Sequence, residues 1–500
     1  MSRLLTNLRE HADSSPQHVA LESPDRKVLT IELLALVQEL ALQLKAMEVS
    51  SVGLFADNSI DWVVADLAAQ IEGVCLVPVP LFFSDAQIRH VVTSASLDAL
   101  LYDPYASERV QSLFGAGETF KVAGTQSLGC ILVPAIDALH APPGTNKITF
   151  TSGSTGEPKG VCLSFDHCIE VAASLADAVA VERPRHLCVL PLSTLLENIA
   201  GVYMPLLIGG TSLLYPLETL GLSGSSGVQP ALFLEAISAS KPQTLILVPQ
   251  LLVLLDAALA QGWQAPDSLK FVAVGGGRVA PTVVARVREA GLPVYEGYGL
   301  SECASVVSLN TSTADRTGTS GRVLPHVEVT ESEGELVVRG NTFLGYLRQP
   351  ESWGASRVIT GDLGSVDDDG FLQVSGRKKN VLISSFGRNI SPEWVESELL
   401  ATGDIKEAVV IGNDRPCCTA LLLTSSSAVS ADTVQEIIDQ VNQGLPDYAR
   451  IANWHRLARS LHMEDGLFTD NGRPKREQIL RTFSIQIESL YLQLMEGAAQ

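Results

Sequence analysis

Long apolar runs are missing from this chain. The longest, such as LILV at 245–248 and LLVLL at 251–255, fall far short of the ~18 residues needed to span a bilayer. An export signal is missing too, because Asn7, Arg9, Glu10 and His11 interrupt the start before an apolar core can form. A cytoplasmic location without a transmembrane segment is therefore expected. Positive charge is scarce: 35 Lys and Arg stand against 56 Asp and Glu, a formal net charge of −21. That balance argues against nucleic acid and anionic membrane as partners. It also means that an anionic substrate must be met by local donors. Paired cysteines are absent as well. Cys75, Cys130, Cys162, Cys168, Cys188, Cys303, Cys417 and Cys418 form no CxxC and no zinc spacing, and the adjacent Cys417 and Cys418 are poorly placed to bridge each other. The nine histidines make no HExxH pair, so no protein-held metal cluster is expected.

What is present is a well-cored globular composition, 46% hydrophobic and 18% charged over 500 residues, enough for two or three domains. Residues 1 to about 45 read as helical: Leu4, Leu5, Leu8 and His11 share a face, and 30–44 carry 3–4 apolar spacing after Thr30 as a cap. Apolar strands at 52–55, 73–79 and 99–102 then alternate with helices at 59–70 and 84–95. The pattern resumes with helices at 167–180 and 196–207 and strands at 187–190, 213–215, 244–248 and 271–274. Nearly continuous apolar strands alternating with helices predict doubly wound parallel α/β sheets. From about Thr311 the texture changes to short strands and turns, a small β-barrel-like subdomain. After the charged run at 377–379 a compact α/β tail follows, with helices near 392–400, 432–443 and 474–488 and strands near 408–411 and 419–423. Residues 1–376 and 377–500 are the expected domains.

The most informative stretch is ITFTSGSTGEPKGVCLS, residues 148–164. Three glycines, four hydroxyl residues and one lysine fall within ten positions, 151–160. Backbone N–H groups, hydroxyls and an ammonium at a glycine-permitted turn suit a polyphosphate. GxxxxGK[ST] opening a helix is not met, since Pro158 precedes Lys159 and the residues after it alternate like a strand. The segment reads as a strand–loop–strand clasp.

Further motifs follow in order: LPLSTLLEN (190–198), VGGGRVAP (274–281), VYEGYGLSEC (294–303), ITGDL (359–363), SGRKKN (375–380), SSFGRNISPEWVE (384–396) and TDNGRPKREQ (469–478). In this sequence and order they resemble the adenylate-forming superfamily of acyl-CoA synthetases, firefly luciferases and peptide-synthetase adenylation domains, nearly end to end. The resemblance implies ATP and Mg²⁺ as cofactors and coenzyme A as co-substrate. It implies that Thr151, Ser152, Gly153, Ser154, Thr155, Gly156 and Lys159 hold the β- and γ-phosphates. Gly276 and Gly277 would border adenine, Tyr298 beside Gly299 would stack on it, Ser301 would touch the α-phosphate, and Glu302 would ligate Mg²⁺. Asp362 and Arg377 would hold the ribose. Lys379 would be the hinge of a mobile C-terminal domain, and Gly387, in a loop that opens a helix at Pro392 with Ser391 as its N-cap, would line a thiol tunnel.

Two departures from the family pattern bear on activity. Thr194 stands where fatty acyl members carry the histidine of LPLSHxFER, and only Glu197 of the final pair is kept. Gly201, Tyr203, Leu206, Leu207 and Gly209 nearby could line an apolar acyl tunnel or could equally be core. The catalytic lysine usually directly after Asn-Gly is replaced by Arg473, with Lys475 two residues on. Either cation could bridge the carboxylate and α-phosphate, although Arg is not equivalent to Lys in reach or shape. The expected activity is activation of a carboxylic acid, a fatty acid first, followed by transfer to a thiol. Transfer to an acyl-carrier protein, amine or hydroxyl, or loss of catalysis in a nucleotide-binding relative, are the alternatives.

Overall fold

The computed structural model describes residues 3–115, 119–133, 137–151, 158–224, 227–463, 466–468 and 474–498. Its short apolar strands, Ser51–Phe55 and Ala99–Tyr102 among them, are buried at every position, as parallel strands covered on both faces must be. The first sheet runs Gly345–Tyr346, Lys159–Leu163, Lys147–Thr151, Cys75–Pro78, Ser51–Phe55, Ala99–Tyr102, Gly129–Leu132, Thr119–Lys121. The second has nine strands. Its centre is Val294–Leu300, Phe271–Val274, Thr244–Leu247, Arg185–Cys188 and Thr211–Leu214. One hydrophobic core draws on both, from Trp62 and Leu67 through Leu187 and Val189 to Phe233 and Val272. Helix Ile60–Glu72 is buried from Ile60 to Ala69, including Asp61 and Asp66, which fits a sequence that is otherwise apolar on every side of that stretch.

Within that core lies a charge that the sequence reading did not anticipate. Lys147, at the start of the strand leading into the clasp, is fully buried with Asp66, Nζ to Oδ1 2.9 Å. Its ammonium also donates to Asn198 Oδ1 at 2.5 Å and to Tyr203 Oη at 2.6 Å. Tyr203 and Asn198 in turn donate to Asp66 Oδ2, at 2.6 and 2.9 Å. Asn198–Tyr203 forms a π-helical turn between helical Leu195–Glu197 and Met204–Leu207, an irregularity often found at functional sites.

Several elements differ from expectation. Residues between the first two helices, Arg3–Ser14 and Thr30–Ala46, are not helical: Val19–Glu22 and Lys27–Leu29 pair as an antiparallel hairpin on the edge of the second sheet. Thr30 is the first helical residue rather than the cap, a position Leu29 takes. Ser391 occupies the N-cap position of Pro392–Leu400 but makes no side-chain cap bond. Its hydroxyl donates to Glu393 instead.

The small β subdomain is a four-stranded antiparallel sheet, Val327–Ser332, Glu335–Gly340, Arg357–Val366 and Leu372–Arg377. Beyond it, Ile405–Ile411, Cys418–Thr424 and Ile451–Arg456 form a three-stranded sheet. The last of these strands escapes sequence reading because Asn453, His455 and Arg456 break its apolar pattern. The expected terminal helix is two, Arg476–Thr482 and Ser484–Ala498. Residues from Leu382 onward build their own hydrophobic clusters. At the junction, Lys378 pairs back to Glu335 at 2.7 Å while Asn380 donates forward to Glu393 at 2.6 Å, with exposed Lys379 between them. Among the described residues, no helix is long and apolar enough to cross a membrane.

Candidate active site

The antiparallel strands Arg357–Val366 and Leu372–Arg377 set Asp362 directly opposite Arg377. The guanidinium Nε lies 2.7 Å from Asp362 Oδ1, and Tyr298, from the second sheet, donates its hydroxyl to Oδ2 at 2.6 Å. Thr360 braces the pair: its Oγ1 accepts from the Asp362 amide at 3.0 Å, and its carbonyl accepts from Arg377 Nη1 at 3.2 Å. Three residues named from separate motifs thus form one hydrogen-bonded cluster. Burial, then the neighbouring Asp362 carboxylate, pushes the Tyr298 phenol above its ordinary value, so it stays a donor.

Glycines in two of these motifs have packing reasons of their own. A Cβ on Gly299 would lie 1.8 Å from the Ser305 carbonyl oxygen, where strand Ser305–Leu309 folds back across a register shift. Gly276 has φ +79°, a left-handed turn that brings Gly277 against Pro249. In the same turn a Cβ on Gly275 would lie 3.3 Å from the Gly297 carbonyl oxygen, in strand Val294–Leu300.

On the phosphate side, Lys147–Thr151 and Lys159–Leu163 pair antiparallel with Thr151 opposite Lys159, the expected strand–loop–strand frame. Ser152, Gly153, Ser154, Thr155 and Gly156 lie outside the described residues. Lys159 is exposed, with Nζ 5.5 Å from the centre of the Tyr346 ring. Tyr346 donates its hydroxyl to Glu302 Oε1 at 2.8 Å. Glu302 sits in the turn Ser301–Cys303, immediately after strand Val294–Leu300, and its carbonyl accepts from Phe343 N–H at 2.7 Å. Ser301, half-buried, opens that turn. Glu302 suits Mg²⁺: it is a hard, partly exposed carboxylate with one oxygen oriented by Tyr346, and Mg²⁺ on phosphates needs only one or two such ligands. Tyr346 was missed in the sequence because a two-residue strand has no periodicity to read.

The acyl-site candidates divide. Thr194 is exposed at the start of Leu195–Glu197. Glu197 and Tyr203 require correction: both are fully buried and committed to protein partners, leaving no face for a substrate. Glu197 Oε1 bonds His186 Nε2 at 2.9 Å, Oε2 accepts from the Leu190 amide at 3.1 Å, and Tyr203 belongs to the Lys147–Asp66 network. Gly201 is also interior, because a Cβ there would meet Glu197 Oε1 at 2.6 Å. His186, Cys188 and Glu197 bring ligand-type atoms within 4.8 Å of one another, a cluster that sequence spacing did not reveal. The His186–Glu197 bond and the His186–Thr244 contact at 2.9 Å engage both ring nitrogens.

In the C-terminal part, Gly387 has φ +71° in an exposed hairpin beside Phe386, which is 77% exposed. Lys475 is half-buried before helix Arg476–Thr482, and its amide donates to Leu467. Arg473 lies outside the described residues. The neighbouring Arg476 is engaged elsewhere, 2.6 Å from the buried Glu396.

Two sheets that share one core and are parallel at their centres but antiparallel at their edges, against the expectation of parallel pairing throughout, an antiparallel subdomain supplying Asp362 and Arg377, and a C-terminal α/β unit after a charged turn are the organisation of adenylate-forming enzymes. The AMP-binding enzyme family matches residues 8–347, and the AMP-binding enzyme C-terminal domain matches 379–495. The chain belongs to the AMP-binding enzyme family. It is 26% identical to a 2-succinylbenzoate–CoA ligase of Bacillus licheniformis over 81% of this chain and 86% of that one. It is 27% identical to the long-chain-fatty-acid–CoA ligase FadD15 of Mycobacterium bovis over 88% and 87%. Its fold matches the O-succinylbenzoate coenzyme A synthetase MenE of Bacillus subtilis, solved with ATP and magnesium ion, with TM-score 0.76 and 24% identity over 94% of this chain and 98% of that one.

Proposed function

We propose that this protein activates an apolar carboxylic acid with ATP, forming an acyl-adenylate and pyrophosphate, and then passes the acyl group to the thiol of coenzyme A. The observation that carries the reading is the Tyr298–Asp362–Arg377 cluster, a ring, a carboxylate and a guanidinium joined by bonds of 2.6 and 2.7 Å. Aromatic stacking and a carboxylate acceptor are what adenine and a ribose diol require. Glu302 and Lys159, converging on Tyr346, supply the phosphate end. Gly276 and Gly277 border the adenine, and Ser301 faces the α-phosphate. Glu302 would hold Mg²⁺, which would supply charge neutralisation at the phosphates.

The protein's own part in the first step is positioning and charge compensation. Lys159 holds the departing pyrophosphate, Glu302 holds the metal, and a C-terminal cation steadies the attacked phosphate. Lys475 and Arg473 are the two candidates for that cation. Rotation about Lys379, separating units 1–376 and 377–500, would then bring the Gly387 hairpin to the thiol.

A fatty acid is the first substrate candidate, supported by the LPLS segment and by the fatty-acid ligase among the relatives. An aromatic acid is the second, supported by the 2-succinylbenzoate ligases. Thr194, exposed before helical Leu195–Glu197, is the candidate residue for tuning this choice. A pyrophosphate-release screen across fatty, aromatic and amino acids, followed by mass analysis with coenzyme A, carrier protein or an amine as acceptor, tests the reading. Release with apolar acids and an acyl-CoA product support it. Release with polar amino acids alone, or products only with another acceptor, overturn it. K475M and R473M, assayed separately, identify the cation by which one abolishes adenylate formation.

A further inference from the structure

Lys159 and Glu302 carry opposite charges and both face Tyr346, yet among the described residues they meet through the tyrosine and not as an ion pair. The hydroxyl of Tyr346 donates to Glu302 Oε1 at 2.8 Å, and its ring centre lies 5.5 Å from Lys159 Nζ. The tyrosine is itself tightly held. Strand Gly345–Tyr346 pairs with Val161 and Cys162, directly beyond Lys159. The Tyr346 amide donates to Ser352 Oγ at 2.8 Å, its carbonyl accepts from Trp353 Nε1 at 2.9 Å, and its ring packs edge-on to Phe343 at 4.8 Å.

We infer that Tyr346 is a positioning residue for metal and pyrophosphate. Its hydroxyl fixes one carboxylate oxygen of Glu302 so that the other faces the ligand, and its ring keeps the Lys159 ammonium from collapsing onto that carboxylate. Groups that orient a metal ligand through a hydrogen bond change metal affinity by about 10–100-fold when lost. A cation over an aromatic face contributes less, a few-fold at an exposed site. The two functions sit on different parts of one side chain and can be separated by substitution. The inference rests on the adenylating reading of the site, and its test is made without turnover.

The full-length protein is titrated calorimetrically with a non-hydrolysable ATP analogue without metal, and then with Mg²⁺ at saturating analogue. Y346F keeps the ring and loses the hydroxyl. It is expected to raise the Mg²⁺ dissociation constant about tenfold while leaving metal-free analogue binding within about twofold of the parent. Y346L, which loses the ring as well, is expected to weaken metal-free binding a further few-fold. An unchanged Mg²⁺ constant in Y346F overturns the inference. So does equal weakening of metal-free and Mg²⁺ binding in Y346F together with a lowered melting temperature, the pattern of a merely structural residue. A parent protein that binds no analogue removes the adenylating reading itself, and this inference with it.

Discussion

Replacing Lys147 by methionine tests whether a buried charge holds the two sheets and the clasp together. Lys147 and Asp66 are both 0% exposed, 2.9 Å apart. At an effective dielectric of about 20, a pair at that distance attracts by roughly 6 kcal/mol. Desolvation of the two ions offsets most of this, so the intact pair adds little net stability. Removing only the lysine is different. Asp66 would keep the Tyr203 and Asn198 donors, at 2.6 and 2.9 Å, but lose its counter-charge inside a dry core. The expected cost is about 3–5 kcal/mol. K147M/D66N removes both charges and is expected to be no less stable than K147M alone, a non-additivity of about 2 kcal/mol or more. Guanidinium unfolding followed by circular dichroism and tryptophan fluorescence measures K147M, D66N and K147M/D66N against the parent. A loss below about 1 kcal/mol for K147M, or a double-variant cost equal to the sum of the single ones, refutes the reasoning.

Other outcomes follow from the site. D362A removes the acceptor shared by Tyr298 and Arg377 and is expected to weaken ATP binding by about 10–100-fold, one charged hydrogen bond's worth. Calorimetric titration with ATP reads this, and unaltered affinity would remove Asp362 from the ribose site. G299A places a methyl 1.8 Å from the Ser305 carbonyl and should cost about 1–3 kcal/mol or more, seen as a lowered melting temperature. An alanine variant as stable as the parent would show that the two strands can part freely. Burial pushes the Glu296 carboxyl up to about 7 from an ordinary 4.5, although Arg288 and Arg278 oppose the shift. Between those values the folded chain holds a proton that the unfolded chain has released, so this group's contribution to stability falls as pH rises from about 4.5 to 7 and is level above. E296Q should therefore show a smaller loss of melting temperature between pH 5 and 8, and an identical slope would contradict the assignment.

Much of the architecture was written in local pattern. Runs such as SVGLF at 51–55 and ALLY at 99–102 declare buried parallel strands because both faces must be apolar. The Asp362, Arg377 and Tyr298 candidates were legible because their motifs, taken in order, resemble those of a known family; in the structure Asp362 and Tyr298 lie within strands and only Arg377 ends one. Hairpin Val19–Glu22 to Lys27–Leu29 was not legible. Its strands have four and three residues, too few to show a period against the helices around them.

By itself, the sequence determined that the chain is α/β and that a charged run at 377–379 separates two textures, and it offered residues 151–160 as a candidate phosphate clasp. Those properties depend on residue type and neighbours along the chain. Tertiary structure alone decided which polar residues stay accessible and which are turned into the core. Glu197 and Tyr203 resembled site residues, but His186 and the Lys147–Asp66 pair, brought to them across the fold, turned both inward. Tyr346 looked like nothing in the sequence and became the link between Lys159 and Glu302. A side chain's chemistry is local, whereas its solvation and its partners are set by segments far away in the chain, and those are fixed only when the sheets pack.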